Sequence, residues 1–257
     1  MTSRCNKFTL RILGAVTVFV ILSGCDVYTM QKCPSYVVYY TNLDSIDLTV
    51  EPSDFRCLKI DNATPGTDFG VWGLHGTGAE KERYDKLCQK HNDLSYNKYR
   101  LIFDTLDIES VGYIDCDFTE ITVTADKDFD LVHPAGTALS DIVRFMSWSP
   151  YKFISSGYSK YYHYDKSDVS EAFDARMRRY INEKYFYSTT DATCYPVDKL
   201  IKDLTSEDLV LLGHDSPGFI GMLYFDSMPD MQGEYNITVT IKTDDDRVLS
   251  ETVKMTF

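Results

Sequence analysis

Residues 235–257, YNITVTIKTDDDRVLSETVKMTF, carry the clearest fold signal in this chain. Apolar residues occupy every second position from Tyr235 to Ile241, and polar residues stand between them. Three aspartates follow at 244–246, and a second stretch with spaced apolar residues runs to Phe257. Because successive side chains of a strand point to opposite faces, this pattern predicts a β-hairpin with one buried face.

Working outward from the hairpin, further segments carry strand signals. Alternating or β-branched and aromatic residues predict strands at 36–40, 46–50, 58–60, 69–74, 99–103, 121–125 and 219–225. Helical spacing predicts helices at 77–94, at 137–145 and at 169–184, and a short turn at 198–203. Thr77 and Glu80 form a capping-box pattern before the first helix.

Strands at both ends with helices between them indicate the fold class. We expect a mainly β protein with some α, built as a β-sandwich of immunoglobulin-like or similar type. A helical insertion is expected between about residues 137 and 204.

The N-terminus has the pattern of a secretory signal. Arg4, Lys7 and Arg11 precede or begin an apolar run that ends near Leu22, and the first acidic residue is Asp26. Positive charges before a short apolar run are typical of signal peptides, whereas a bilayer-spanning helix needs about 20 apolar residues.

Leu22-Ser23-Gly24-Cys25 matches a bacterial lipobox, with cleavage between Gly24 and Cys25 and lipidation of the Cys25 thiol. An uncleaved membrane anchor and ordinary secretion with a coincidental cysteine are the alternatives. The predicted organisation is a signal peptide at 1–24, a lipidated tether at 25–35 and a single β-rich domain at 36–257. Cys25 would hold the protein on a membrane through its lipid chains, each buried methylene contributing about 0.8 kcal/mol.

Composition excludes several classes of protein. The chain of 257 residues has 26 basic and 39 acidic residues, a net charge of −13. Removing 1–24 leaves −16, because Arg4, Lys7 and Arg11 lie there and no acidic residue does. Nucleic-acid binders need a basic face, so no nucleic-acid partner is expected. The 44% of hydrophobic residues argues against wholesale disorder, and the absence of a second long apolar run argues against a polytopic membrane protein.

Metal-site patterns are incomplete. Asp126, Asp128 and Asp130 alternate as in a calcium loop, but Leu131 and Thr137 stand where that loop needs Gly and Glu. They are therefore weak calcium candidates, and no other cofactor is expected. Cys88 and His91 form a close-spaced pair for zinc, and His75, Cys57 and Cys116 could complete the set. A structural zinc site usually has two close-spaced pairs, and the sequence has only this one.

The cysteines and one polar segment give no catalytic assignment. After Cys25, the mature chain has Cys33, Cys57, Cys88, Cys116 and Cys194, so at least one thiol stays outside any disulfide. Residues 213–218, GHDSPG, collect Ser, His and Asp, but they lack the G-x-S-x-G order of a hydrolase elbow. A polar turn between strands explains this segment better.

Tyrosine is abundant, with 19 residues, and it clusters around His163. Tyr158, Tyr161, Tyr162 and Tyr164 are candidate ligand-binding residues, because exposed rings stack on sugars and anchor protein partners. The alternative is that these rings pack on the domain.

Four features of the chain together resemble lipoproteins of the Bacteroidota, in a family whose domain has no assigned function. They are the lipobox, the tyrosine-rich body, the final hairpin and the 121–139 stretch with its HPAGTAL segment (residues 133–139). The resemblance implies a cell-envelope location and supplies no catalytic residues. The expected function is a non-enzymatic binding or adhesion module for a glycan or an envelope protein, lipid-anchored with the outer membrane favoured. An envelope hydrolase and a structural subunit of a surface assembly are the alternatives.

Overall fold

The computed structural model describes residues 29–63, 71–72, 76–102, 112–182, 193–213 and 218–257. The predicted signal peptide, Gly24 and Cys25 lie outside these residues. The chain divides into a small unit, Met1–Lys32 with Tyr99–Glu109, and a main unit, Cys33–Lys98 with Ser110–Phe257. A two-stranded sheet of β1 (Thr29–Cys33) and β6 (Lys98–Ile102) contains the described residues of the small unit.

The protein is mainly β, with a few helices. The remaining strands are β2 (Tyr39–Thr41), β3 (Ile46–Val50), β4 (Cys57–Asn62), β5 (Val71–Trp72), β7 (Gly112–Ile114), β8 (Phe118–Ala125), β9 (Val143–Ser149), β10 (Tyr195–Leu200), β11 (Phe219–Phe225), β12 (Glu234–Thr243) and β13 (Val248–Thr256). The α-helices within the described residues are α1 (Ala79–Lys90), α2 (Tyr151–Ser155) and α3 (Glu171–Asn182). Single 3-10 turns occur at Lys166–Asp168, Ile201–Asp203 and Ser206–Leu209. None of the helices in the described ranges has the length and apolar character needed to cross a membrane.

Three sheets organise the described part of the main unit. The largest has the strand order β10-β9-β11-β4-β3, and all its neighbours are antiparallel. The second has the order β13-β12-β8, also antiparallel. The third, β5-β2-β7, includes a parallel pair, β2 with β7.

The principal core contains apolar side chains from the first two sheets. Ile60 and Leu223 come from the five-stranded sheet, and Val123 and Val239 come from the three-stranded sheet β13-β12-β8. All four side chains are fully buried. Burying such a side chain stabilises the fold by about 1.5–3 kcal/mol, so this shared core is the main stabilising contact of these two sheets.

Two smaller cores use the helices. Tyr84 and Cys88 of α1 pack with Tyr40 of β2 in one of them. Phe173 and Met177 of α3 pack in the other against the five-stranded sheet, on side chains that include Met146, Trp148 and Met222.

The predicted hairpin is confirmed. Strands β12 and β13 pair from Glu234 with Thr256 to Lys242 with Val248. Along β12, Tyr235, Ile237, Val239 and Ile241 are buried, and the residues between them are exposed or half-buried.

The helix expected at 137–145 is wrong, because residues 143–149 form strand β9. Phe145 faces the principal core, whereas Met146 and Trp148 belong to the core under α3. Because both faces of β9 are largely buried, its apolar residues do not alternate strictly, and the adjacent pair Phe145 and Met146 breaks the strand period. Periodicity alone does not separate such a segment from a helix. The region 137–204 therefore contains strands β9 and β10 as well as helices α2 and α3.

The other two predicted helices are confirmed, with shifted ends. The helical turn expected at 198–203 is confined to Ile201–Asp203, because residues 198–200 belong to strand β10. Helix α1 ends at Lys90, its N-cap is Gly78, and no side-chain cap bond forms there. Helix α3 lies within the predicted 169–184. The second half of the expected tether differs from expectation, because Cys33 and Ser35 are buried.

Candidate functional site

The tyrosine segment follows helix α2, where Gly157 and Tyr158 both have positive φ and turn the chain. Tyr158 is buried, and its hydroxyl donates a hydrogen bond of 2.8 Å to Asp93. Its ring lies 5.3 Å from that of Tyr96 and 5.7 Å from that of Phe153. Tyr158 is thus an interior residue and does not offer its ring to a ligand.

Tyr161 is half-buried, and the ammonium group of a lysine lies over its ring. Its centroid lies 5.0 Å from that of Phe153, which anchors the ring on the protein. Lys98 donates a hydrogen bond of 2.8 Å to the Tyr161 hydroxyl. The same ammonium lies 5.4 Å from the ring centroid of Tyr96 and 5.5 Å from that of Tyr161, which is cation–π distance.

Tyr162 and Tyr164 are also half-buried and pack beside α3. The Tyr162 centroid lies 6.3 Å from that of Tyr164 and 5.3 Å from that of Tyr195 on β10. The Tyr164 hydroxyl donates to Asp174 at 2.5 Å. The Tyr162 hydroxyl is buried, and burial raises the pKa of this phenol.

These contacts define a surface that we call the tyrosine surface. Its rings are all half-buried, and its lysines are all exposed. The rings are those of Tyr96, Tyr161, Tyr162, Tyr164 and Tyr195, and the lysines are Lys98, Lys152 and Lys160. The Lys152 ammonium lies 5.6 Å from the Tyr195 centroid, and the Lys160 carbonyl accepts a hydrogen bond of 3.0 Å from the Tyr195 hydroxyl. Three of the four predicted tyrosines belong to it, and Tyr96, Tyr195, Lys98 and Lys152 join them from other parts of the chain.

The acidic loop after β8 is held by its own carboxylates. Asp126 accepts from the backbone and side-chain nitrogens of Asn236 at 2.9 and 2.7 Å. Asp128 accepts from the backbone N–H of Ala135 at 2.8 Å. The carboxylates of Asp126 and Asp128 are thus each bonded to a different partner. No group of residues suited to a metal ion occurs within the described ranges.

Asp130 belongs to a cluster around His133 that we call the histidine clamp. Asp130 contacts His133 Nδ1 at 2.8 Å, and Asp141 contacts Nε2 at 2.8 Å. Both ring nitrogens therefore donate, which requires the protonated imidazolium. Burial lowers the pKa of His133, but the hydrogen bonds to Asp130 and Asp141 outweigh burial and raise it overall.

A buried polar network lies beside the core under α1. His91 Nε2 is 3.0 Å from Asp117 Oδ2, and Nδ1 is 3.2 Å from the Tyr40 hydroxyl. Asp117 also pairs with Lys90 at 2.8 Å. The tautomer with a proton on Nε2 satisfies both contacts, since Nε2 donates to Asp117 and Nδ1 accepts from Tyr40. Both nitrogens are thus engaged within the protein.

This network resembles part of a catalytic triad, but no activated nucleophile is present in it. Burial raises the pKa of the Tyr40 phenol and raises that of the nearby Cys88 thiol to about 11. A catalytic cysteine needs a lowered pKa, so Cys88 has the character of a structural thiol. Burial opposes ionisation of Asp117, but His91 and then Lys90 outweigh it and hold the pKa of Asp117 below its usual range.

The zinc pattern is not brought together around Cys88 and His91. Cys57 lies in the core under α3, with its Sγ 3.7 Å from Sδ of Met222. Cys116 lies in the principal core, where burial raises the pKa of its thiol to about 12. His75, which the zinc pattern included, and residues 214–217 of the polar segment 213–218 lie outside the described residues.

Comparison of the chain with protein-family models, with curated proteins and with solved structures finds no significant match in any of the three.

Proposed function

We propose that this chain is a lipid-anchored cell-envelope protein whose tyrosine surface binds a glycan or protein partner without transforming it. The observation that carries the proposal is the tyrosine surface itself. Half-buried rings fixed by neighbouring rings lose little conformational freedom when a ligand covers them, which favours binding. Phe153 and Tyr195 hold Tyr161 and Tyr162 in this way.

The finer architecture belongs to the same proposal. The sheets β10-β9-β11-β4-β3 and β13-β12-β8 share one apolar core, which supports a β-sandwich of immunoglobulin-like or similar type. In such a sandwich, helices α2 and α3 and the tyrosine segment would decorate the five-stranded sheet and leave the principal core intact.

The lipobox supports the envelope location. We propose that Cys25 carries the lipid and that the protein resides on the outer membrane, as its resemblance to lipoproteins of the Bacteroidota implies. The test is Cys25→Ala in the full chain, followed by separation of membranes from soluble fractions. We expect the wild type with the membranes and the variant in the soluble fraction. A variant that stays with the membranes would contradict lipidation at Cys25.

Binding is tested with the Tyr161→Ser variant of the domain that follows Cys25, immobilised and exposed to envelope extract and to a glycan panel. We expect the wild type to retain a specific glycan or protein that the variant loses. Leu131→Ser is the control for loss of an exposed apolar side chain, because Leu131 is exposed (96%) in the acidic loop after β8. Equal retention by wild type and Tyr161→Ser, with both proteins folded, would contradict the proposal.

A further inference from the structure

Two loops of the main unit, 126–137 and 226–233, expose apolar side chains in one place. Of the eight large apolar side chains that are exposed in the described ranges, these loops hold four. They are Leu131 (96% exposed), Val132 (75%), Met228 (37%) and Met231 (75%). The backbone N–H of Asp230 donates a hydrogen bond of 2.8 Å to the carbonyl of Phe129, which joins the two loops. We call these four side chains the apolar tip.

The tip is held in shape within the free protein. Phe129 is fully buried in the principal core, and its backbone N–H donates a bond of 2.8 Å to the carbonyl of His133. The Asp130 carboxylate accepts from the backbone N–H groups of Val132 and His133 at 2.8 and 2.9 Å. A partner would therefore lose little affinity to ordering this turn. Single exposed apolar residues are ordinary, but several in one ordered place mark an interaction site.

Charge indicates what covers the tip. The two loops contain five aspartates, and Lys127 is their only lysine or arginine. Asp128 and Asp230 are exposed and form no ion pair with any residue that the structure describes. Burial and then carboxylates that include Asp230 and Asp128 raise the pKa of the Tyr235 phenol, which places both carboxylates near the same ring. Whatever covers the tip must meet these negative charges.

Three kinds of occupant can be compared on this basis. Segments that insert into a bilayer surface carry Lys and Arg beside their apolar side chains, since these attract anionic lipids, and the apolar tip has the opposite charge. A second copy that presented the same tip would bring the same carboxylates to it. A protein that surrounds an apolar pocket with Lys or Arg would fit both the apolar side chains and the charge.

We infer that the apolar tip docks into an apolar pocket of a protein partner, and that basic side chains at the rim of this pocket pair with Asp128 and Asp230. Leu131 and Val132 would fill the pocket and contribute most of the binding free energy, as a few central side chains do in protein interfaces. The tip shares no residue with the tyrosine surface. The inference therefore goes beyond the proposed function and does not depend on it.

The test selects peptides from a random library displayed on phage, with the immobilised full chain as the target. The double variant Leu131→Ser with Val132→Ser serves to remove peptides that bind elsewhere. We expect the remaining peptides to combine aliphatic or aromatic residues with Lys or Arg. Calorimetry with the synthesised peptides should show affinity that falls as salt rises, because exposed charge pairs are screened.

Single variants locate the site. Leu131→Ser and Met231→Ser should each weaken binding of a selected peptide about tenfold or more, since each removes buried apolar area. Asp230→Asn should weaken it about twofold to fivefold, the effect of one exposed ion pair.

Val248→Ser is the matched control, because Val248 is an exposed valine (61%) at the far end of the hairpin. It pairs with Lys242, whereas the loop 226–233 leads into Glu234 at the other end of β12. The control should bind like the wild type, and thermal unfolding should show that all variants are folded.

The other occupants are outcomes that would overturn the inference. Remaining peptides without basic residues, or no remaining peptide, would do so. Vesicles of phosphatidylethanolamine and phosphatidylglycerol that bind the wild type better than Leu131→Ser would indicate a membrane contact instead. A dimer in sedimentation that Leu131→Ser loses would indicate a second copy.

Failure of this inference is distinguishable from failure of the proposed function. Tyr161→Ser should bind the selected peptides like the wild type, since Tyr161 lies outside the apolar tip. Leu131→Ser should likewise retain the envelope component that Tyr161→Ser loses. Each variant thus removes one ligand and serves as the control for the other.

Discussion

At the scale of single residues, this protein uses buried carboxylates to hold chain segments that have no strand partner. Asp93 is fully buried and accepts hydrogen bonds from the backbone N–H groups of Tyr36 and Val37 at 2.6 and 2.8 Å. It also accepts from Tyr158 at 2.8 Å. One side chain therefore joins the entry to β2, the end of α1 and the start of the tyrosine segment.

Replacing Asp93 should destabilise the protein strongly. Asp93→Ala leaves these three buried donors without an acceptor, and each such loss costs about 1–3 kcal/mol, so we expect at least 3 kcal/mol. Asp93→Asn should cost less, because its amide oxygen still accepts. Urea unfolding monitored by circular dichroism measures both. Equal stability of Asp93→Ala and the wild type would show that these donors find other partners.

The histidine clamp should give a pH-dependent contribution to stability. Since the folded pKa of His133 is raised, its contribution is fully present below the unfolded value of about 6.5 and is lost as pH rises through the folded value. The pKa values of Asp130 and Asp141 are lowered. The contribution of these two carboxylates to stability is therefore present above about pH 3.9 and is lost as the pH falls further.

His133→Gln should therefore lower stability by about 1 kcal/mol at pH 5.5 and by much less at pH 9. The measurement is thermal unfolding of wild type and variant at both pH values. His163→Gln, at an exposed histidine, is the control and should match the wild type throughout. A loss for His133→Gln that is the same at both pH values would contradict a charged clamp.

At the scale of elements, the sequence predicts strands with one buried face far better than strands buried on both. β12 and β13 alternate in polarity, so the hairpin was predictable residue by residue. β9 has no alternation, because Phe145 and Met146 enter different cores. Only the pairing of β9 with β10 and β11 shows that it is a strand. The pairing with β11 joins residues as distant in the sequence as Val143 and Phe225.

The candidate site shows the same division. Local sequence identified Tyr161, Tyr162 and Tyr164, since they are close together in the chain. It gave no sign of Tyr96 or Tyr195, which reach the same surface through contacts across long sequence separations. The abundance of tyrosine was the only available signal, and it does not indicate which rings meet.

Strand β11 contains one position that should tolerate no side chain. Gly221 lies where β11 shifts register against β4. A Cβ there would lie 2.8 Å from the carbonyl oxygen of Met146 and 2.8 Å from the ring of Phe145. Glycine in a strand often marks such a close approach.

Gly221→Ala should destabilise the protein by about 1–3 kcal/mol, the usual cost of overpacking a core. Gly136→Ala is a useful comparison, since no atom lies within 4 Å of its Cβ position and only its positive φ disfavours alanine. Chemical unfolding of both variants separates the two effects. If Gly221→Ala were as stable as the wild type, β11 could not be packed against β9 this closely.

At the scale of the whole molecule, the excess of carboxylates sets the acid limit of stability. Hydrogen bonds from Arg247 lower the pKa of Asp245 to about 2. The pKa of Asp117 and that of Asp208 are also lowered, through His91 and Lys199 respectively, against opposing burial. Carboxylates of this kind stabilise the fold above their unfolded pKa, near 3.9, and lose that contribution as pH falls towards the folded value.

We therefore expect the midpoint of thermal unfolding to be steady between pH 5 and 7 and to fall steeply below about pH 4. Calorimetry across this range measures it. Asp245→Asn should show a smaller fall, because one of the contributing carboxylates is absent. A midpoint that stays constant down to pH 2 would contradict these contributions.

The position of β11 between β4 and β9 also determines how the chain can fold. Phe219 of β11 pairs with Asp61 of β4, and Phe225 of β11 pairs with Val143 of β9. The central strand therefore pairs with strands that lie far earlier in the sequence. Contacts between strands so far apart in the sequence give the fold a high contact order. Large loops must close before these contacts form, and the entropy cost of closing them makes folding slow. Until β11 has paired with them, β4 and β9 each expose an unpaired strand edge. Refolding at high protein concentration should therefore compete with aggregation, and dilution should raise the yield of native protein.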